Sequence, residues 1–386
     1  MSKRIGMEVA LAAAEAVGMC NVDVAAVYPI TPQSHIAEHL SDLVADGKTD
    51  TEYVTVESEH TSMSICIGAS ATGARAYTAT CSQGLMLMHE LLPIASAMRC
   101  PIVMSVANRP VNAPLNILSD HSDIMPQRDA GWIVIFCENG QEVVDLTLMA
   151  YRIAEDKDVM LPVVIGIDGF ILTHMVEPMV FPDQKEVDKF LPVYKPYATL
   201  HPDKPLTMGA FAMPDVFPEM MKAKDMALTN SKKTIIKIWD EWEKKFGRRY
   251  NPVETYRTDG AEVILVSMGS MSETAELGVD MLRDKGIAAG VAKIRLWRPF
   301  PIEELKAATK GARVLAVLDR AISPGIEGAP VYTDVKAAFY DEKDRPVIVN
   351  WLIGLGGEDV TGEDFVEIAE KALKAKKGEH EFLGVR

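Results

Sequence analysis

The chain has 386 residues, 48% hydrophobic and 25% charged, the profile of a globular protein long enough for two domains. A net charge of −15 argues against nucleic acid or an anionic membrane as the main partner. Five cysteines (Cys20, Cys66, Cys81, Cys100, Cys137) show no C-x-x-C spacing, which predicts reduced, buried thiols and no iron–sulfur site on this chain.

No signal peptide opens the sequence and no apolar run reaches membrane-spanning length, so a cytoplasmic location is expected. Gly6 to Gly18 has helical periodicity, and Val22 to Tyr28 is an apolar run of strand length. That run stops at Pro29-Ile30-Thr31-Pro32, where two prolines bar further pairing. Gln33 to Val44 reads as a helix and Glu52 to Val56 as a short strand. A helix of small residues starts at Glu59, and Arg75 to Ala79 is the next strand. The turn Thr80 to Gly84 leads into one apolar helix, Leu85 to Met98. Pro101 to Ala107, Trp132 to Cys137 and Leu161 to Ile167 are strands, with a polar loop at 108–128 and a helix from Gln141. Strand–helix alternation with buried two-sided strands predicts a parallel doubly wound sheet over residues 1–176.

Residues 177–258 break the pattern. Prolines recur to Pro218, then a charged helix runs to about Lys245. This part is expected to be a connector, with Met213, Met220, Met221 and Met226 packing against either a partner or the chain's own core. Alternation resumes over 259–386, with strands near 262–267, 289–294, 313–318 and 346–350, and predicts a smaller α/β domain. The tail KKGEHEFLGVR is read as too polar for a packed role.

The sequence has no Walker loop, no strand-linked G-x-G-x-x-G, no G-x-S-x-G elbow and no His/Cys cluster with zinc spacing, so no metal ligands are assigned. By spacing alone Glu59 is either a helix-starting acid or a carboxylate for a polar heterocycle at a strand end. Thr31 is a helix cap or a free hydroxyl. Arg109, just after a strand, suits a bidentate carboxylate, or a salt bridge with Asp120 or Asp123. Asp120-His121-Ser122-Asp123 suits loop hydrogen bonding better than a metal, because neighbouring residues rarely converge on one ion. Asp168-Gly169 resembles the start of a metal–diphosphate motif, but no asparagine follows at the needed distance.

YPITP at 28–32, VESEHTSMSICIGASATGAR at 56–75, TATCSQGLMLMHE at 78–90 and NRPVNAPLNILSDHSD at 108–123 resemble the alpha subunit of 2-oxoacid:ferredoxin oxidoreductases. DGF at 168–170, LWRPFP at 296–301 and WLIGLGGEDVT at 351–361 continue the match, which is nearest to multi-subunit pyruvate:ferredoxin oxidoreductase (pyruvate synthase). The resemblance implies a thiamine diphosphate pyrimidine-binding domain followed by a transketolase C-terminal-like domain. It implies that Glu59 is catalytic, bonding the pyrimidine ring nitrogen so that the cofactor can deprotonate itself. Tyr28, Pro29, Ser82 and Gln83 would complete the cofactor site, and Thr31, Arg109 and Leu118 the 2-oxoacid site. A beta subunit would hold Mg2+ and the diphosphate, and beta, gamma and delta-type partners the [4Fe-4S] clusters. Coenzyme A would be a substrate, and electrons would leave to ferredoxin or, through a flavin subunit, to NAD. Many pyruvate enzymes of this family place an aromatic residue at position 118. Leu118 therefore leaves room for a larger acid, aryl (such as phenylglyoxylate) or branched-chain, beside pyruvate as the leading substrate. A transketolase-like group transfer and a non-catalytic scaffold are the competing readings.

Overall fold

A computed structural model describes residues 3–385. Its first part runs β1 (Lys3–Glu8), α1 (Val9–Met19), β2 (Val24–Ala26), α2 (Ser34–Ala45), β3 (Glu52–Val54) and α3 (Glu59–Ala71). Next come β4 (Ala76–Thr80), α4 (Ser82–Met88), α5 (Leu92–Ala97), β5 (Val103–Asn108), β6 (Ile133–Phe136), α6 (Gly140–Ala154) and β7 (Val163–Asp168). The connector holds β8 (Val176–Phe181), α7 (Gln184–Phe190) and α8 (Phe217–Phe246). The last part comprises β9 (Val253–Tyr256), β10 (Val263–Ser267), α9 (Met271–Asp284), β11 (Ala289–Ile294), β12 (Leu296–Arg298) and α10 (Ile302–Ala308). It closes with β13 (Val314–Asp319), α11 (Pro330–Phe339), β14 (Val347–Leu352), α12 (Gly362–Ala372) and β15 (His380–Phe382).

Strands β4, β5, β6 and β7 are buried along their whole length, so neither face offers an alternation to read. They lie in a seven-stranded sheet of order β12-β6-β7-β5-β4-β2-β3, parallel except for β12 on β6. A second sheet has order β15-β14-β13-β10-β11-β9, parallel except for β9 on β11. The expected doubly wound parallel-sheet unit and the smaller α/β unit are therefore both present.

Three local expectations are corrected, and one strand pairing was not anticipated. The N-terminal helix begins only at Val9, because the residues before it form β1, paired antiparallel with β8. The single helix expected over 85–98 is two: α4 starts earlier, at Ser82, and Pro93 near the start of α5 cannot donate to His89 four residues back. The tail is packed after all, since β15 adds to the sheet edge beside β14 and His380 Nδ1 meets Asn350 Oδ1 at 2.8 Å. The strand within LWRPFP, although it belongs to the second half of the sequence, pairs with β6 of the first sheet (Leu296 with Ile135).

Helix α8 packs on α6 through Ile235, Ile238, Trp239 and Trp242, an apolar stripe at helical spacing. Buried Asp145 on α6 accepts bonds from Trp242 Nε1 (3.3 Å), Arg248 Nη2 (2.8 Å) and Tyr250 Oη (2.6 Å), which anchors the connector. Met213, Met220, Met221 and Met226 are exposed, so they do not cover the chain's own core.

Candidate functional site at the strand ends

The carboxyl ends of β2, β4, β5 and β7 converge, and in a parallel sheet this is where ligands bind. Glu59 is the first residue of α3. Ser58 caps that helix, its Oγ accepting the Thr61 N–H at 3.2 Å. Despite its charge Glu59 is only 7% exposed. Helix α4 covers it through Gly84, where an added Cβ would lie 2.5 Å from Glu59 Oε1 and 2.4 Å from Thr80 Oγ1. Only glycine allows that approach. Burial pushes the Glu59 carboxyl above its usual range, opposed only by its own backbone N–H. Thr80 Oγ1 and Gln83 Nε2, on the segments around it, are buried without a partner among the described residues, as is Gln33 Nε2. A buried carboxylate with unspent polar atoms nearby is the arrangement that a polar heterocycle satisfies, so the residues fit a pyrimidine ring.

Ser82 adopts φ +47°, and its N–H donates to Asp123 Oδ2 at 2.8 Å. Its hydroxyl lies against the Pro110 carbonyl oxygen and Gln83 Oε1. Arg109 is 6% exposed. Its guanidinium donates to the carbonyls of Thr31 (Nη1, 2.8 Å) and Asn116 (Nε, 3.1 Å) and to Gln83 Oε1 (Nη2, 3.3 Å). These are all neutral acceptors. The alternative of a salt bridge to Asp120 or Asp123 is thereby corrected: Asp123 takes the Arg109 backbone N–H (3.0 Å), and Asp120 takes Ser122. Among the described residues the guanidinium has no carboxylate partner, and the Cys81 thiol also lies against it.

Thr31, Ser82, Gln83 and Arg109 thus form one bonded group, with Glu59 beside it across Gly84. The Thr31 side chain is exposed, Tyr28 is half-buried and Pro29 is exposed. Leu118 stands 40% exposed against the Gly357 backbone, and Asn116 Nδ2 donates to the Gly356 carbonyl at 2.8 Å. The loop that carries Leu118 is therefore held by the second unit.

Sequence reasoning read Asp123 as a loop residue and passed over Asn108. Together they organise the site: Asp123 accepts from Ser82, from Arg109 and from Asn108 Nδ2 (3.0 Å), joining the ends of β4 and β5. The available signal was a polar residue, Asn108, closing a strand that is apolar apart from Ser105. Burial pushes the Asp123 carboxyl up to about 7, against the three donors. A raised acid binds its proton more tightly when folded. Its stabilising contribution is therefore full below the ordinary value of 3.8 and is lost as pH rises through about 7. The expected result is that urea-unfolding free energy for wild type minus Asp123→Asn falls across that interval and then levels off; a difference that rises with pH would contradict it.

Asp168 is not free for a metal. Its Oδ1 meets His121 Nε2 at 2.7 Å, and its Oδ2 accepts from Ser270 N–H (2.7 Å) and Arg320 Nη1 (3.0 Å). Ser270 and Arg320 come from the second unit, so this buried carboxylate pins that unit to the first.

Residues 15–239 match the family described as pyruvate flavodoxin/ferredoxin oxidoreductase, thiamine diphosphate-binding. The chain belongs to that family. In this oxidoreductase family residues 261–365 match the pyruvate:ferredoxin oxidoreductase core domain II. The pyruvate synthase subunit PorA of Pyrococcus furiosus is 46% identical over 381 residues, 97% of this chain and 96% of that one. PorA of Thermotoga maritima is 44% identical, covering 100% and 98%. The ketoisovalerate oxidoreductase subunit VorA of Pyrococcus horikoshii is 43% identical, covering 94% and 92%. A solved 2-oxoglutarate:ferredoxin oxidoreductase from Magnetococcus marinus shares the fold (TM-score 0.74, 18% identity). The match spans 96% of this chain and 65% of that one. A split-gene transketolase superposes at TM-score 0.55 and 14% identity over 97% of this chain, supporting the transketolase-like reading of the fold. No helix among the described residues is long and apolar enough to cross a membrane.

Proposed function

We propose that this chain is the alpha-type subunit of a thiamine diphosphate-dependent 2-oxoacid oxidoreductase, with pyruvate as the leading substrate. The products are the acyl-CoA and CO2, with electrons leaving through [4Fe-4S] clusters on partner subunits to ferredoxin. The observation that carries this reading is Glu59: a buried carboxylate with no partner among the described residues but its own backbone N–H, at the carboxyl end of a parallel sheet. Glu59 holds the pyrimidine ring nitrogen, and its raised proton affinity suits it to share a proton there. Gln83 Nε2 and Thr80 Oγ1 supply further polar contacts, while Tyr28, Pro29 and Ser82 shape the wall. When bound, thiamine diphosphate supplies the electron sink for decarboxylation, with Mg2+ and the diphosphate held by a beta-type subunit. Arg109 and Thr31 receive the 2-oxoacid carboxylate; the guanidinium is buried and carries no carboxylate partner among the described residues. Gamma- and delta-type subunits complete the assembly, and its place is the cytoplasm.

A second substrate reading rests on Leu118, exposed at the loop held by Gly357, and on the ketoisovalerate relative. Here the acid is larger, branched or aryl. Turnover of the purified complex on a panel of 2-oxoacids, with coenzyme A and a viologen dye, decides between them. Pyruvate is expected to give the highest kcat/KM. Arg109→Ala is expected to lower kcat/KM for every acid by about 30- to 150-fold, the equivalent of about 2–3 kcal/mol for a charge-assisted contact. A fall of less than about threefold in a folded, assembled variant would remove Arg109 from the substrate site.

A further inference from the structure

We propose that Glu8, His35 and His174 form a binding site for a divalent transition-metal ion such as Zn2+. These residues share no member with the Glu59–Arg109 group and come from three separate places in the sequence, which is why no spacing signal announced them. Glu8 ends β1 and precedes α1, His35 is the second residue of α2, and His174 lies on the loop between β7 and β8. One ligating atom of each lies within 4.8 Å of those of the other two, and all three side chains are half-buried. Two imidazoles and one carboxylate, with a position left for water, are a usual donor set for zinc.

The surroundings hold these groups in place. His35 Nδ1 meets Glu8 Oε1 at 2.5 Å. The two imidazole rings face each other with centroids 4.6 Å apart, and the Phe170 ring stacks on His174 at 4.3 Å. Thr173 Oγ1 accepts the Phe170 N–H at 2.8 Å and meets His174 Nδ1 at 2.8 Å. A hydroxyl on Nδ1 fixes the ring orientation, as outer partners of metal-bound histidines do, and leaves the ring's other nitrogen unspent among the described residues. The loop itself is fastened to the start of α1 by Val9 N–H to Met175 O (3.0 Å) and Ala10 N–H to Thr173 O (2.9 Å). A plain His–Glu pair needs only one imidazole; the second, bonded to Thr173 and facing the first, is accounted for by an ion shared among the three. Such an ion would tie the loop beyond Asp168 to the start of α2, just beyond Thr31.

The test uses the full-length chain, stripped with chelator and titrated with Co2+, then Zn2+. One saturable Co2+ site with visible d–d absorption is expected, displaced by Zn2+. It should vanish in His35→Ala and His174→Ala and weaken about tenfold or more in Thr173→Val. It should be unchanged in His60→Ala, whose exposed imidazole pairs with Glu90. Circular dichroism checks folding, and Glu8→Gln, which keeps size and loses the charge, provides a mild variant that should also lose the site. Absence of saturable Co2+ binding in wild type, or equal binding in wild type and folded histidine variants, overturns the proposal.

Discussion

Glu59→Gln is expected to lower turnover of the assembled enzyme by about 10²–10⁴-fold, the range that positioned proton transfer contributes. Glutamine keeps the shape of the side chain under Gly84 but cannot share a proton with a ring nitrogen. The direct measurement is hydrogen–deuterium exchange at the thiazolium C2 of bound cofactor, which should fall in parallel with turnover; near-normal exchange would sink the assignment. Loss of fold would not explain the result. Burial raises the proton affinity of this carboxyl, so its stabilising contribution is present at low pH and lost as pH rises through the raised value. Its removal is therefore expected to leave stability at neutral pH equal or higher. A variant that is stable and inactive is the signature of a group kept for chemistry.

Asp168→Asn is expected to do the opposite and act on stability. Burial would push this carboxyl up, but the Arg320 guanidinium and His121 overcome it and hold it well below the usual range. A depressed acid contributes stability above its ordinary value of 3.8 and loses it only as pH falls, so the contribution is complete at neutral pH. Replacement leaves Arg320, 2% exposed, without its anion, at a cost of about 3–5 kcal/mol. Urea unfolding at neutral pH should register the loss. A change under about 1 kcal/mol would show that the Asp168 ion pairs do not hold the two units together.

Both expectations turn on what the sequence could and could not convey. The strands around the site were legible because their residues are mostly apolar and buried on both faces, whereas position alone left Glu59 and Arg109 open between a structural and a functional reading, and only the resemblance assigned them roles. The acceptors of Arg109 were not, since three of its contacts are to backbone or amide oxygens whose positions depend on the fold as a whole. The break between α4 and α5 was written in Pro93, but the apolar run on either side outweighed it. Strand β15 was missed because three residues at a sheet edge carry no usable periodicity; the pairing partner lies 30 positions earlier, Asn350 opposite His380. The Asp168 cluster joins residues 121, 168, 270 and 320, and no local pattern reports contacts of that span.

The short strand Leu296–Arg298 has one more implication. Because the later half of the chain donates it to the sheet of the earlier half, swinging the halves apart would tear backbone bonds from that sheet's border. A breathing motion between them is therefore a poor gate for a substrate.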